Sequence, residues 1–265
     1  MASDIPSQMT AAFIRRRGGV DEIEVGPLPV PTCGPGQILA RVEALSVNHV
    51  DTIVRSGAYD TDLPMPFVIG RDFVGIVVAR GQGVTGVAPG ERVWCNSLGY
   101  AGRQGAFAEY ALAAADRVYP LPPGQDPVEV VSLLHPAATA WLGLFREGAL
   151  RPGEMVFVGG AGGGVGSASV QLAVAAGARV IATTSQADIE WVRSCGAQAV
   201  FDYRDPRVSA RVTAADASSS PPGSAPCPAC RSARSIPAMP ACGASPSATR
   251  RWRISPVPRL RSTFV

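Results

Sequence analysis

Hydrophobic positions in the first part of the chain recur at short period. Ile38, Ala40, Val42 and Ala44 alternate with Leu39, Arg41 and Glu43, which predicts a half-buried strand. Phe73 to Ala79 is a nearly continuous apolar run, and Arg92 to Cys95 follows a Pro89-Gly90 turn. Gly-Pro clusters at 26–36 and 120–124 punctuate the rest, so residues 10 to about 122 read as a compact, mostly β unit.

The period lengthens after Gly124. Val128 to Leu134 and Thr139 to Phe145 read as helical runs, closed by Arg151-Pro152-Gly153. A buried strand over Met155 to Val158, a Gly-rich turn and a helix from about Val165 to Ala176 come next, with Gly177 as the helix stop. A second strand (Val180 to Thr183), a helix near Asp188–Cys195 and a third strand (Ala199 to Asp202) complete the series. Strand–helix–strand–helix–strand implies parallel strands with right-handed crossovers, an α/β arrangement.

Composition changes the picture at one end. Of the last 55 residues, 21 are Pro, Gly or Ser and only seven are Ile, Leu, Val or Phe, too few to offset the entropy of ordering. Residues 211–265 are therefore expected to be disordered or non-native. All 24 basic residues are Arg, which with 29 Gly and 24 Pro points to a GC-rich gene. Such a gene read out of frame yields mainly Arg, Ala, Pro, Ser and Gly, so a frameshift near 210–217 is the expected origin of the tail. Cys227-Pro228-Ala229-Cys230 is then an accident, not a redox or zinc motif.

The net charge of +3 is uneven: 16 Arg face 20 carboxylates up to residue 210, and 8 Arg face only Asp216 beyond it. The overall basicity is thus no argument for nucleic-acid binding. Six Cys and an opening Met1-Ala2-Ser3-Asp4 without a leader pattern point to the cytosol, not to a disulfide framework. Met155 to Ala178 is uncharged and long enough to span a bilayer. Its seven Gly interrupt a helix, and no membrane association is expected.

Ala161-Gly162-Gly163-Gly164-Val165-Gly166 falls between a strand and a helix, the context that a dinucleotide site requires. Gly163 lets the backbone approach a pyrophosphate, and Gly166 lets helix and strand pack closely. The helix N-terminus supplies N–H groups and a positive dipole end. A tight turn without a ligand is the plainer alternative. About 20 residues on, where a ribose-binding carboxylate is expected, the chain has Thr183-Thr184-Ser185. Hydroxyls there favour NADPH over NADH. Arg193 and Arg204 are near in sequence, as phosphate contacts or as solvated surface residues.

Several motifs together resemble the medium-chain dehydrogenase/reductase superfamily. They are Asn48-His49-Val50-Asp51-Thr52, Arg55-Ser56-Gly57-Ala58-Tyr59, Gly70-Arg71-Asp72-Phe73-Val74-Gly75 and Gly90-Glu91-Arg92-Val93. Gly105-Ala106-Phe107-Ala108-Glu109-Tyr110, Thr139-Ala140-Trp141 and the turn at 161–166 continue the match in order, over residues 10 to 207. The branch most similar is the zinc-free quinone oxidoreductases, the zeta-crystallin-like group.

The resemblance implies a GroES-like mostly-β catalytic domain (1–124) and an incomplete Rossmann NADPH-binding domain (125–210), with the active site in the cleft between them, ahead of the tail (211–265). It implies hydride transfer from NADPH to a quinone acceptor and, for full-length members, a homodimer. An enone or enoyl reductase on the same scaffold is the alternative, and a truncated non-catalytic nucleotide-binding protein is another. Asn48 stands where zinc-dependent relatives carry a metal-ligating Cys, and Gly70-Arg71-Asp72 where they have Gly-His-Glu. Cys95 stands alone where they carry a four-Cys lobe, so no metal is expected.

The resemblance also brings Asn48, Asp51, Tyr59 and Thr139 near the nicotinamide and the acceptor. Asn48 or Tyr59 could hydrogen-bond the acceptor carbonyl, and Tyr59 could pass a proton. From the residues alone, Asp51 reads as a turn or ion-pair residue and Tyr59 as a half-buried core ring. His49 reads as pointing away from Asn48 on a strand, and neither it nor His135 is expected to act. Cofactor contacts fall to Ala161, Gly162, Gly163, Gly164, Val165, Gly166, Thr184, Ser185 and Tyr203. Asp188 occupies the place where NADPH-preferring relatives often carry Lys, so NADPH preference with weakened discrimination is expected.

Overall fold

The computed structural model describes residues 5–219, and the chain divides by its internal packing into two units, Met1–His135 and Pro136–Val265. The first contains β1 (Gln8–Ile14), β2 (Glu24–Pro29), β3 (Gln37–Ser46), α1 (His49–Ser56), β4 (Phe67–Val68) and β5 (Asp72–Arg80). It continues with β6 (Arg92–Cys95), β7 (Tyr110–Ala114) and β8 (Tyr119–Pro120). Its strands form a three-stranded sheet, β2-β1-β4, and a five-stranded one, β7-β3-β5-β6-β8. All their pairings are antiparallel.

The alternation at 40–44 lies in β3, where Ala40 is buried, Arg41 and Glu43 are exposed, and Val42 and Ala44 are half-buried. Ile38 and Leu39 are both buried, because that end of the strand is covered on both faces. Irregularities in the β3–β5 register at Leu39/Ala40 and Val42/Ala44 bend the pair. The apolar run at 73–79 is β5, and Phe73, Val77, Val93 and Leu98 enter one core cluster. Gly70 and Phe107 explain why their motifs occur together. Gly70 has φ +97°, and a β-carbon there would fall 2.1 Å from the Phe107 ring.

A helix, α2 (Pro127–Trp141), contains the boundary between the units, 11 residues beyond the boundary expected at 124. It runs through Pro136 and continues as a π-helical stretch, Leu142–Glu147. The two helical runs expected at 128–145 are thus nearly continuous. In the second unit follow β9 (Met155–Gly159), α3 (Gly164–Ala175), β10 (Arg179–Thr184), α4 (Ile189–Ser194), β11 (Ala199–Asp202) and α5 (Val208–Ser219). The strands are parallel, in the order β11-β10-β9. This is the 3-2-1 half of a doubly wound sheet. Both β11 and β9 are edges among the described residues, and β9 is the one that further strands extend in that topology.

Two expectations are corrected here. Residues 211–219 are not disordered: they lie in α5, and Val212 is buried against Met155, Phe157 and Ile181. One well-placed apolar residue anchors a segment whose average composition argued against order. His49 is not on a strand but is the first residue of α1. The rest of the tail, with the Cys227–Cys230 pair, lies outside the described residues.

Candidate functional site

In the first unit, β3 ends at Ser46 and the chain turns into α1 at Asn48. Asn48 keeps an extended backbone (φ −110°, ψ 152°) and caps the helix. Its N–H donates to Asp51 Oδ2 at 2.7 Å, the carboxylate half of a capping box. The strand register sets Ser46 directly opposite Asp72. The Asn48 amide therefore turns inward, and Nδ2 donates to Asp72 Oδ2 at 2.9 Å and to Ser46 Oγ at 3.3 Å. Ser46 Oγ donates to the same carboxylate oxygen at 3.2 Å. An amide nitrogen has two hydrogens, and both are directed at these oxygens. In this arrangement Asn48 has no N–H for an acceptor carbonyl.

Asn48, Asp51 and Asp72 are all buried, Asp72 completely. Burial pushes Asp51 up to about 6, opposed by the Asn48 N–H and by the Arg71 guanidinium. Burial also pushes Asp72 up to about 6. The Asn48 and Ser46 hydrogen bonds and Arg71 pull it down, while the charge of Asp51 adds to the rise. Arg71 also acts with burial to lower His135. The Arg71 guanidinium lies 4.0 Å from the centroid of the Tyr100 ring, which Arg103 approaches at 4.1 Å.

Among the described residues, the buried side-chain polar atoms without a hydrogen-bond partner are Asp51 Oδ1, Arg55 Nη1, Arg71 Nε, Asp72 Oδ1 and Arg103 Nη2. All belong to the first unit. Such atoms are rare in folded proteins. A cavity of about 360 Å³ is lined by Asp51, Thr52 and Arg55 with Ala12, Ile69 and Phe107 among its apolar walls.

Tyr59 lies just beyond α1, held by its N–H to the Ile53 carbonyl at 3.1 Å. Its ring is exposed, not half-buried, and its hydroxyl has no hydrogen-bond partner among the described residues. Thr139 is on α2 in the second unit and is exposed. The structure thus joins Asn48 and Asp51, with Tyr59 on the same unit. Cys95 is buried beside Ser97, and burial raises its thiol pKa. No group of three His, Cys, Asp or Glu able to hold a metal occurs among the described residues.

In the second unit, β9 leads through Gly160–Gly163 into α3. The first-turn N–H groups of this 12-residue helix have no intrahelical acceptors. Two glycines of this turn differ in what a β-carbon would meet. A β-carbon on Gly166 would fall 2.4 Å from the Gly160 carbonyl oxygen and 2.7 Å from Ala161 Cα, so only glycine lets helix and turn approach. On Gly163, which is exposed, it would meet only the Gly160 oxygen at 3.6 Å, leaving open space for a phosphate. Ala161 is fully buried, its N–H donating to the Thr183 carbonyl at 2.9 Å. Thr184 and Ser185 follow at the end of β10, and the Tyr203 N–H donates to the Thr184 carbonyl at 3.0 Å.

Sequence reasoning missed Ser46, Arg55, Arg71 and Asp72 as site residues. The available signal was Asp72 itself, a carboxylate opening an apolar run that a central strand was bound to bury.

Residues 34–123 match the alcohol dehydrogenase GroES-like domain family. The chain is 37% identical over 199 residues to the quinone oxidoreductase of Mus musculus, covering 74% of this chain and 59% of that protein. It is 35% identical over 207 residues to the dehydrogenase azaJ of Aspergillus niger, covering 72% and 60%. A solved NAD-dependent alcohol dehydrogenase superposes with a TM-score of 0.74 at 33% identity, over 79% of this chain and 68% of the other. A mycobacterial quinone oxidoreductase gives 0.68 at 33%, over 78% and 63%. The chain spans about three fifths of the length of these curated relatives.

Proposed function

We propose that this chain, which belongs to the medium-chain dehydrogenase/reductase superfamily in its quinone oxidoreductase-like branch, serves NADPH-dependent reduction of quinones without zinc. The observation that carries the reading is the turn at 160–166, where Gly166 is obligatory for packing and Gly163 is open to an incoming phosphate. Bound there, a nicotinamide cofactor supplies the hydride. The chain's own groups bind, orient and move a proton.

The α3 N-terminus holds the pyrophosphate through its free N–H groups. Thr183, Thr184 and Ser185 put hydroxyls and no carboxylate on the strand end itself, which supports NADPH, while Asp188, accepting from Ser185 Oγ at 2.6 Å, weakens the discrimination. Zinc independence is supported by Asn48 at the place of a metal-ligating Cys, engaged with Asp72 and Ser46. A quinone that takes up a hydride needs one proton to become a hydroquinone. Tyr59, exposed and with its hydroxyl free of partners among the described residues, is the group we assign to hydrogen-bond the carbonyl and pass that proton. We infer a small-molecule acceptor as partner, with neither nucleic acid nor membrane, in the cytosol.

The test is NADPH oxidation by the full chain with a panel of quinones and enones, in the presence of a metal chelator. Quinone-dependent oxidation that survives chelation is expected; loss on chelation contradicts zinc independence. Tyr59→Phe separates the two acceptor classes. A hydroquinone anion takes its proton readily from water, so quinone turnover falls by less than about tenfold. An enone needs the positioned donor, and its turnover falls by about 100-fold. Enone turnover that exceeds quinone turnover and collapses in Tyr59→Phe favours the enone reductase instead.

A further inference from the structure

No step of the proposed reaction uses the cluster that Arg71, Tyr100 and Arg103 form in the first unit. The two guanidiniums lie 4.0 Å and 4.1 Å from the centroid of the one tyrosine ring, and all three side chains are half-buried. A tight loop brings them together. Gly99 and Gly102 have φ of +69° and +77°, and between them Ala101, which carries a β-carbon, is held at +51°. The Gly99 N–H donates to the Gln104 carbonyl at 3.1 Å, Ala101 N–H to Thr61 Oγ1 at 2.8 Å, and Gly102 N–H to the Asp62 carbonyl at 2.9 Å. A β-carbon on Gly99 would fall 2.6 Å from the Gly70 carbonyl oxygen and 3.8 Å from Arg71 Cγ. The loop therefore lies directly against Arg71, the residue before β5.

A guanidinium has five N–H donors. That of Arg71 makes no hydrogen bond or ion pair among the described residues, and its Nε is buried. Arg103 donates from Nε to the Ser97 carbonyl at 3.0 Å, and its Nη2 is buried without a partner. Asp51 and Asp72 feel the Arg71 charge from a distance, yet both stand at about 6. A carboxylate paired with a guanidinium lies below its ordinary range instead. The tyrosine ring attracts the face of each cation. Their N–H groups stay unsatisfied, and two like charges on one ring repel each other.

We propose that Arg71 and Arg103, gathered on Tyr100, bind the carboxylate of a small organic acid. The planar fork of a guanidinium matches the two oxygens of a carboxylate, and an anion here relieves the repulsion between the cations. A phosphate is favoured where successive backbone N–H groups make a cradle. In this loop the N–H groups of Gly99, Ala101, Gly102 and Arg103 are all taken by acceptors of the protein. The site is built by the first unit alone and does not depend on the reading of the 160–166 turn.

The experiment is calorimetric titration of the full chain, without cofactor, with benzoate, with benzamide and with inorganic phosphate. Benzamide has the shape of benzoate and lacks its charge. The expected result is saturable binding of benzoate, at least about tenfold tighter than either of the others. Arg103→Gln and Arg71→Gln should each weaken benzoate by at least about tenfold, and Arg103→Lys, which keeps the charge, by less. Thermal melts show which variants fold. Arg103→Gln decides where Arg71→Gln does not, and the comparison of ligands on the wild-type chain decides where neither does. A folded wild-type chain that does not bind benzoate, or that binds benzamide or phosphate as tightly, overturns the proposal. So does a folded glutamine variant whose benzoate affinity stays within about twofold of the wild type. Either result leaves the two arginines as a clamp on the 98–104 loop.

Discussion

A carboxylate enclosed as deeply as Asp72 loses its hydration and must be compensated or protonated. Two hydrogen-bonding groups, Asn48 and Ser46, and Arg71 compensate it in part, yet Asp51 and Asp72 are both held up at about 6. Their folded-state values lie above the unfolded ones, so each stabilises the fold fully below pH ~4, and that contribution is lost as pH rises through about 6. Thermal melts from pH 4 to pH 7 should thus show the first unit losing stability with rising pH, by ~2 kcal/mol per carboxylate. Asp72→Asn keeps an acceptor for Asn48 and removes the charge. It should flatten this dependence and raise the melting point at pH 8. Asp72→Ala strands the Asn48 Nδ2 and should cost about 1–3 kcal/mol. An unchanged pH profile in Asp72→Asn would remove Asp72 from this account. The burial of Asp72 was legible in its place at the head of an apolar run, but its partners were not, because the pairing of Asp72 with Ser46 is set by sheet register, not by spacing along the chain.

At the scale of elements, the parallel βαβ order was readable because short apolar strands alternate with longer helical runs between glycine stops. The start of α1 was misread. His49 was read as a strand residue, while Asn48 and Asp51, three residues apart, are a helix-capping pair that starts α1 at His49. Two glycines of the turn should respond differently to substitution. Gly166→Ala drives a methyl into Gly160 and Ala161, and should lower stability along with cofactor binding. Gly163→Ala meets nothing closer than 3.6 Å, and should leave the melting point within about 1–2 °C while weakening the cofactor at least about tenfold. Melts and titrations of the two variants check this pair. Equal losses of stability would mean that the turn is only a packing device.

The whole molecule combines a complete mostly-β unit with three parallel strands and their helices in the described part of the second. The free edge of β9 and the exposed Val128, Leu133 and Trp141 of α2 leave apolar and hydrogen-bonding surface uncovered among the described residues. The lengthening of the hydrophobic period after Gly124 was read as the start of a second unit, where the packing divides the chain at His135, and composition placed the loss of pattern near residue 211. It could not foresee that α5 runs on to Ser219, because Val212 docks on Met155, Phe157 and Ile181 from a distance in sequence. The central claim is that the 160–166 turn in this chain holds a nicotinamide dinucleotide. Calorimetric titration of the full chain with NADPH, run beside Gly163→Ala, tests it most directly. The account predicts one saturable site in the wild-type chain and marked weakening in the variant. A folded chain that releases no heat of binding, or binds equally in both proteins, would contradict it.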